Sequence, residues 1–87
     1  MTEESLIEFP CDLPIKVMGR HTPEFRALMV AAAATQGGPI ADDAVSVRLS
    51  KDERFASITI TVHVQDHDQL RRVYSALHAT GLVLYAL

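Results

Sequence analysis

The residues with the most chemical reach in this 87-residue chain are four histidines, a single cysteine and the loop Gly19-Arg20-His21. A metal ion such as zinc needs three or four nitrogen, sulfur or oxygen ligands converging on one point. His63 closes an alternating segment and His67 opens a helical one, so these two could share a metal. His21 and His78 have no acid or thiol at ligand spacing, and a solvated side chain or a helix-dipole partner accounts for each. No metal site and no cofactor are expected. Cys11 lies between Phe9-Pro10 and Leu13-Pro14 with no histidine nearby in sequence, whereas a nucleophile needs a base and a group to orient that base. It reads as a packed thiol, and no catalytic residue is assigned. Gly19, Arg20 and His21 stand just before a helix start, where free backbone amides and a guanidinium could hold a carboxylate or phosphate. They are the ligand-binding candidates, although a lone glycine before a helix often does no more than make the turn.

The elements that would position these groups follow from the hydrophobic pattern. Leu13, Ile15 and Val17 alternate with Lys16 and Met18, which predicts a strand that Gly19 ends. Thr22, Pro23 and Glu24 have the chemistry of a helix start, with the Thr22 hydroxyl as cap and proline in the first turn. Phe25, Leu28, Met29, Ala32 and Ala33 then form an apolar stripe, stopped by Gly37, Gly38 and Pro39. Val45, Val47 and Leu49 alternate with Ser46, Arg48 and Ser50 in a second strand. A charged turn over Lys51, Asp52, Glu53 and Arg54 leads into a third, where Ile58, Ile60, Val62 and Val64 alternate with polar residues. Asp66 and Gln69 have capping-box spacing ahead of a second helix with Leu70, Val73, Tyr74 and Leu77 on its apolar stripe. Gly81 closes that helix, and Leu82 to Leu87 is a final apolar strand.

The order strand, helix, strand, strand, helix, strand predicts an α+β fold of the ferredoxin-like, split β-α-β type. This is a two-layer sandwich with a four-stranded antiparallel sheet and two helices on one face. Residues 1–87 form one such domain, with 1–12 as an N-terminal extension. Ile15, Val17, Val47, Ile58, Ile60 and Val62 face the helices, so Lys16, Met18, Arg48, Thr59, Thr61 and His63 face outward. The last strand turns out either Val83, Tyr85 and Leu87 or Leu82, Leu84 and Ala86. Met18, Arg48, Thr59, Thr61 and Tyr85 are the interaction-face candidates. The uncovered face could be met by a protein partner, by a second copy in a homodimer, or by Leu6, Ile7 and Phe9 folding back over it.

Charge and composition narrow the partners. The net charge of −3 arises from interspersed acids and bases, without the basic stripe of a nucleic-acid footprint. The third strand offers Ser57, Thr59 and Thr61 where an RNA-binding sheet would present aromatics for stacking. Glu3 and Glu4 stand where a secretory signal would be basic, and Ala27 to Ala34 is far too short for a membrane span. One cysteine allows neither an internal disulfide nor a thiolate-rich zinc site, which fits a reducing compartment. A cytoplasmic protein that binds neither nucleic acid nor membrane is expected.

Phe9-Pro10, Ile15-Lys16-Val17-Met18-Gly19, Pro23-Glu24-Phe25 and the run from Phe55-Ala56-Ser57-Ile58-Thr59 through Tyr74 and Leu77 together resemble the YbeD family of small bacterial proteins. The resemblance covers nearly the whole chain, and Lys16 to Gly19 followed by Pro23-Glu24 is its most specific part. It implies a ferredoxin-like fold similar to ACT regulatory domains, which bind small effectors, and no established enzymatic activity. Proximity of family genes to lipoate attachment implies a metabolic setting by association. The turn over Lys51 to Arg54 departs from expectation in lacking a glycine.

Two functions follow as expectations. The leading one is a non-catalytic, ACT-like regulatory module that binds a small-molecule effector at Gly19, Arg20 and the start of the first helix. The competing one is a protein-interaction adaptor working through the open sheet face or an edge strand. A pocket at the first strand-helix loop would favour the former, and a flat patch the latter.

Overall fold

The computed structural model describes residues 8–87. The elements in order are β1 (Cys11–Arg20), α1 (Phe25–Gly37), a single 3-10 turn at Asp42–Ala44, β2 (Val45–Leu49), β3 (Phe55–Val64), α2 (His67–Ala79) and β4 (Tyr85–Ala86). The sheet has the order β2-β3-β1-β4 with every pairing antiparallel, as the split β-α-β arrangement requires.

The ladder between β1 and β3 dominates. Each strand contributes ten residues, from Cys11 opposite Val64 to Arg20 opposite Phe55. Ile15, Val17, Ala56, Ile58, Ile60, Val62 and Val64 all point to the helix face and are buried. Phe25, Met29 and Ala33 from α1 and Val73 and Leu77 from α2 close the core over them.

β1 is longer than its alternating pattern predicts and runs through Gly19 instead of stopping there. The reason is a packing one. A Cβ at Gly19 would sit 2.5 Å from both the Phe25 ring and the Leu82 carbonyl oxygen, so this glycine lets two other segments approach the strand and does not break it. Pro14 is tolerated inside β1 because Lys16 and Met18 direct their backbone groups toward the β4 side. By alternation Pro14 faces that side too, and β4 pairs only with Val17 and Met18. The missing amide falls where, among the described residues, no neighbouring strand is present.

The start of α1 also differs from expectation. The helix begins at Phe25, Glu24 is its N-cap without a side-chain bond, and the Thr22 backbone carbonyl accepts from the Phe25 amide at 3.2 Å. Thr22 to Glu24 is thus a turn that brings the Phe25 ring back onto Gly19, and the Thr22 hydroxyl does not cap. The buried stripe of α1 is Phe25, Met29 and Ala33 at intervals of four, while Leu28 is 46% exposed on its flank. Gly37 continues that row, and a Cβ there would meet Val62 Cγ1 at 2.5 Å.

At α2 the expected cap forms. Asp66 Oδ1 accepts from the Gln69 amide at 2.8 Å, and the Gln69 side chain accepts from the Gln65 amide and donates to the Gln36 carbonyl at the end of α1. One residue therefore stabilises a helix start and ties the two helices together. The final strand is much shorter than the apolar run suggests. Only Tyr85 and Ala86 pair with β1, while Val83 packs against the core ahead of the strand. The Tyr74 hydroxyl donates to the Leu87 carbonyl oxygen at 2.8 Å and fixes the end of this segment to α2. Val47, expected beneath the helices, is 44% exposed, because β2 is the outer strand and the helices centre on β1 and β3.

Leu77 is fully buried between α2 and the sheet. Leu77→Ala should therefore cost about 2–5 kcal/mol in urea melts, the range for deleting a buried leucine side chain. A loss under about 0.5 kcal/mol would show that the α2 stripe does not seal this core.

Candidate functional site

Two regions compete for the site, the loop after β1 and the open face of the sheet. In the loop, the three ligand candidates do not converge. Gly19 is buried and sealed by Phe25 and Leu82. Arg20 is exposed and borders a hollow of about 220 Å³ with Thr22, Phe25, Gly81, Leu82 and Leu84. His21 turns the other way: its amide donates to the Arg54 carbonyl at 2.7 Å, and its Nδ1 lies 3.1 Å from the Glu53 carbonyl oxygen. It holds the β2–β3 turn against the end of β1.

That turn works without glycine. Glu53 takes the left-handed conformation at φ 60°, and the strain is offset by a local hydrogen-bond network. Ser50 Oγ donates to Asp52 Oδ1 at 2.7 Å, Asp52 Oδ1 accepts from the Arg54 amide, and the Phe55 amide donates to Ser50 Oγ. The Ser50 hydroxyl and then the Arg54 amide hold the Asp52 carboxyl below its ordinary range.

The open face is built by register. One row runs across all four strands as Arg48, Ser57, Met18 and Tyr85, and the next is Ser46, Thr59 and Lys16. The structure thus brings four of the five interaction-face candidates together around one centre. Thr61 stands one row further along, opposite Pro14, and completes the exposed face. Met18 is 38% exposed, Tyr85 59% and Leu87 63%, and these three line a shallow hollow with Lys16 and Ser57. A larger depression of about 330 Å³ lies beside it, between Lys16, Arg48, Ser57 and Thr59. Neither outward set open to the last strand holds whole: Tyr85 and Leu87 face out but Val83 packs on the core, and Ala86 packs inward while Leu84 is 61% exposed.

Electrostatically the centre of the face is one-sided, since Asp12, further along the same face, is paired with His63. The described ion pairs are Arg26–Asp42, Arg54–Asp52, His63–Asp12 and Arg71–Asp68, all exposed. Lys16, Arg20 and Arg48 have no carboxylate within ion-pair distance among the described residues. Alternation places Lys16 and Ser57 on this face as it does Arg48, but only Arg48 of the three is among the contact candidates. What alternation does not show is that Ser57 Oγ is buried with no hydrogen-bond partner among the described residues.

The remaining chemical candidates are dispersed. His63 Nδ1 lies 2.8 Å from Asp12 Oδ1 across the β1–β3 ladder, whereas the His67 ring meets Phe9 edge-on at 4.6 Å between centroids. The two histidines have different partners, and among the described residues no group of three or more His, Cys, Asp or Glu could hold a metal ion. Cys11 is half-buried at the first position of β1. Phe9 packs with the core beside α2 and not on the open face, while Leu6 and Ile7 lie outside the described residues. Among the described residues no helix is long and apolar enough to cross a membrane.

Comparison with known proteins now bears on this geometry. Residues 4–87 match the family model described as "Protein of unknown function (DUF493)". The chain belongs to this family. It is 38% identical over 87 residues to a UPF0250 protein of Nitrosomonas europaea, covering all of both chains. It is 43% identical over 86 residues to a UPF0250 protein of Bordetella parapertussis, covering 98% of this chain and 93% of that one. These findings bear out the resemblance to the YbeD type of small bacterial protein. The solution structure of HP0495 from H. pylori superposes with a TM-score of 0.75 at 16% identity, over 93% of this chain and 85% of that chain. At that identity the likeness establishes the shared α+β fold alone.

The Asp52 network makes a prediction of its own. Ser50→Ala removes the first cause of the lowered carboxyl, so the Asp52 titration midpoint should rise toward its ordinary value of 3.8 in a carboxyl NMR titration. Because the folded value is depressed, Asp52 contributes stability above the unfolded value that is lost as pH falls through the folded one. An unchanged midpoint in the variant would show that Ser50 does not hold the carboxylate.

Proposed function

We propose that this domain is a non-catalytic binding module of the cytoplasm that docks a protein partner on the open face of its sheet. The observation that carries this reading is the contiguous row Arg48, Ser57, Met18 and Tyr85, with Leu87 beside it and Lys16 without an ion-pair partner among the described residues. Two helices shield only one side of the sheet. The other side keeps the large apolar side chains of Met18, Tyr85 and Leu87 exposed beside Lys16 and Arg48, the composition of an interface centre with a charged margin.

A regulatory effector site is the second reading, and the hollow bordered by Arg20, Thr22, Phe25, Gly81, Leu82 and Leu84 is the observation in its favour. It ranks below the first because Gly19 is sealed and His21 is engaged with the β2–β3 turn. That leaves Arg20 as the one candidate of the three free to meet an anion there.

A photo-crosslinking residue placed at Thr59 in bacterial cells should yield a discrete crosslinked protein, and one placed at the exposed Arg72 of α2 should not. Met18→Glu with Tyr85→Glu should weaken the Thr59 product about tenfold by putting carboxylates into the apolar centre. Equal products from Thr59 and Arg72 would contradict the reading.

A further inference from the structure

The open face ends at β2, and the backbone of β2 carries information that its side chains alone do not. The Ser50 amide donates to the Phe55 carbonyl at 2.9 Å, so Ser50 and Phe55 are a hydrogen-bonded pair. In an antiparallel ladder such pairs alternate, which makes Arg48–Ser57 and Ser46–Thr59 the bonded pairs and turns the backbone groups of Val45, Val47 and Leu49 away from β3. The Val45 amide is already used by the Asp42 carbonyl. Both backbone groups of Val47 and of Leu49, and the Val45 carbonyl, remain directed off the edge of the sheet.

This edge has little of the usual protection beyond its shortness and one outward charge, Arg48. It contains no proline and no inward-pointing charge, and its side chains are exposed, Val47 at 44% and Leu49 at 37%. On the helix side, Val47 borders a hollow of about 200 Å³ floored by Pro23, Phe25, Ala56 and Ile58. On the open side, Arg48 and Lys16 border the larger depression.

We propose that β2 accepts an extended segment of a partner protein as a fifth strand, and that the side chains of this segment alternate between apolar and acidic. The proposal rests on the reading that the sheet binds protein and adds how it does so. Pairing with Val47 and Leu49 would supply the main-chain bonds. Alternation would send one set of side chains over Val47 toward the Phe25 hollow and the other set beside Arg48 and Lys16. Charge decides between this occupant and a second copy of the chain. Antiparallel self-pairing about Val47 would put Ser46 opposite Arg48 and make the two Arg48 residues diagonal neighbours, their backbones roughly 7–8 Å apart, so that like charges share a face that already carries Lys16. An acidic strand removes that repulsion and neutralises the cations.

The test uses the full chain and two synthetic peptides, acetyl-Thr-Val-Glu-Val-Glu-Val-Thr-amide and its counterpart with lysine for glutamate. At low salt the acidic peptide should bind about tenfold or more tightly than the lysine peptide, and it should slow amide exchange at Val47 and Leu49. Arg48→Glu changes an exposed side chain and should reverse the preference. Equal binding of the two peptides, binding without protection of Val47 and Leu49, no binding by either, or a sedimenting dimer whose β2 amides are protected in the free protein would overturn strand addition. If the peptides fail while the Thr59 crosslink persists, only the edge-strand mode falls. If the crosslink is lost as well, the open-face reading falls with it.

Discussion

Everything in this domain depends on the ten-residue ladder between β1 and β3. Because side chains alternate along each strand, fixing Ile15 opposite Ile60 and Val17 opposite Ile58 on the helix side sends Lys16 and Thr59, and Met18 and Ser57, to the other side. A one-residue slip would put Lys16 into the core and Ile15 into water. The burial of Ile15, Val17, Ile58, Ile60 and Val62 thus stabilises the fold and also specifies which groups stand on the open face. Core and surface are two readings of one register.

The connections around this ladder explain why the open face, and not the first loop, holds the better candidate. Gly19 has no side chain because Phe25 and the Leu82 carbonyl press against it, and this contact seats both α1 and the approach to β4. The same close packing leaves the loop little room to receive a ligand over Gly19. His21 is similarly occupied in bracing the β2–β3 turn, where Ser50 and Asp52 support a left-handed Glu53. On the open side nothing comparable happens among the described residues. Short β4 and peripheral β2 extend the sheet beyond the helices without adding cover, and the cations there have no described carboxylate partner.

Much of the fold was legible because period-two alternation in β2 and β3 and the Asp66–Gln69 cap are local signals. The misreadings have a common cause, which is that tertiary contacts overrode local chemistry. Gly19 reads as a strand breaker until Phe25 is seen against it. Thr22 reads as a cap until the turn is seen to carry Phe25 back to the sheet. Val47 reads as core until β2 is found outside the helices' cover, and Leu82 to Leu87 reads as a full strand until Val83 is found packed inward. The interaction face was legible in part, since Met18, Arg48, Thr59 and Thr61 follow from alternation alone. Which residues of the last strand face outward, and that Ser57 Oγ lacks a partner, depend on pairing that no local pattern encodes.

The methionines provide a direct measurement of the central claim, that the open face and not the core side meets a partner. Met18 lies in the middle of the open face, and Met29 is fully buried on the inner side of α1. With methionine methyls labelled and the protein placed in lysate of a bacterial host, the account predicts that the Met18 methyl resonance shifts and broadens. The Met29 resonance should keep its chemical shift and change only in width with slower tumbling. A Met18 resonance that behaves like Met29 across the full range of lysate concentration would contradict it.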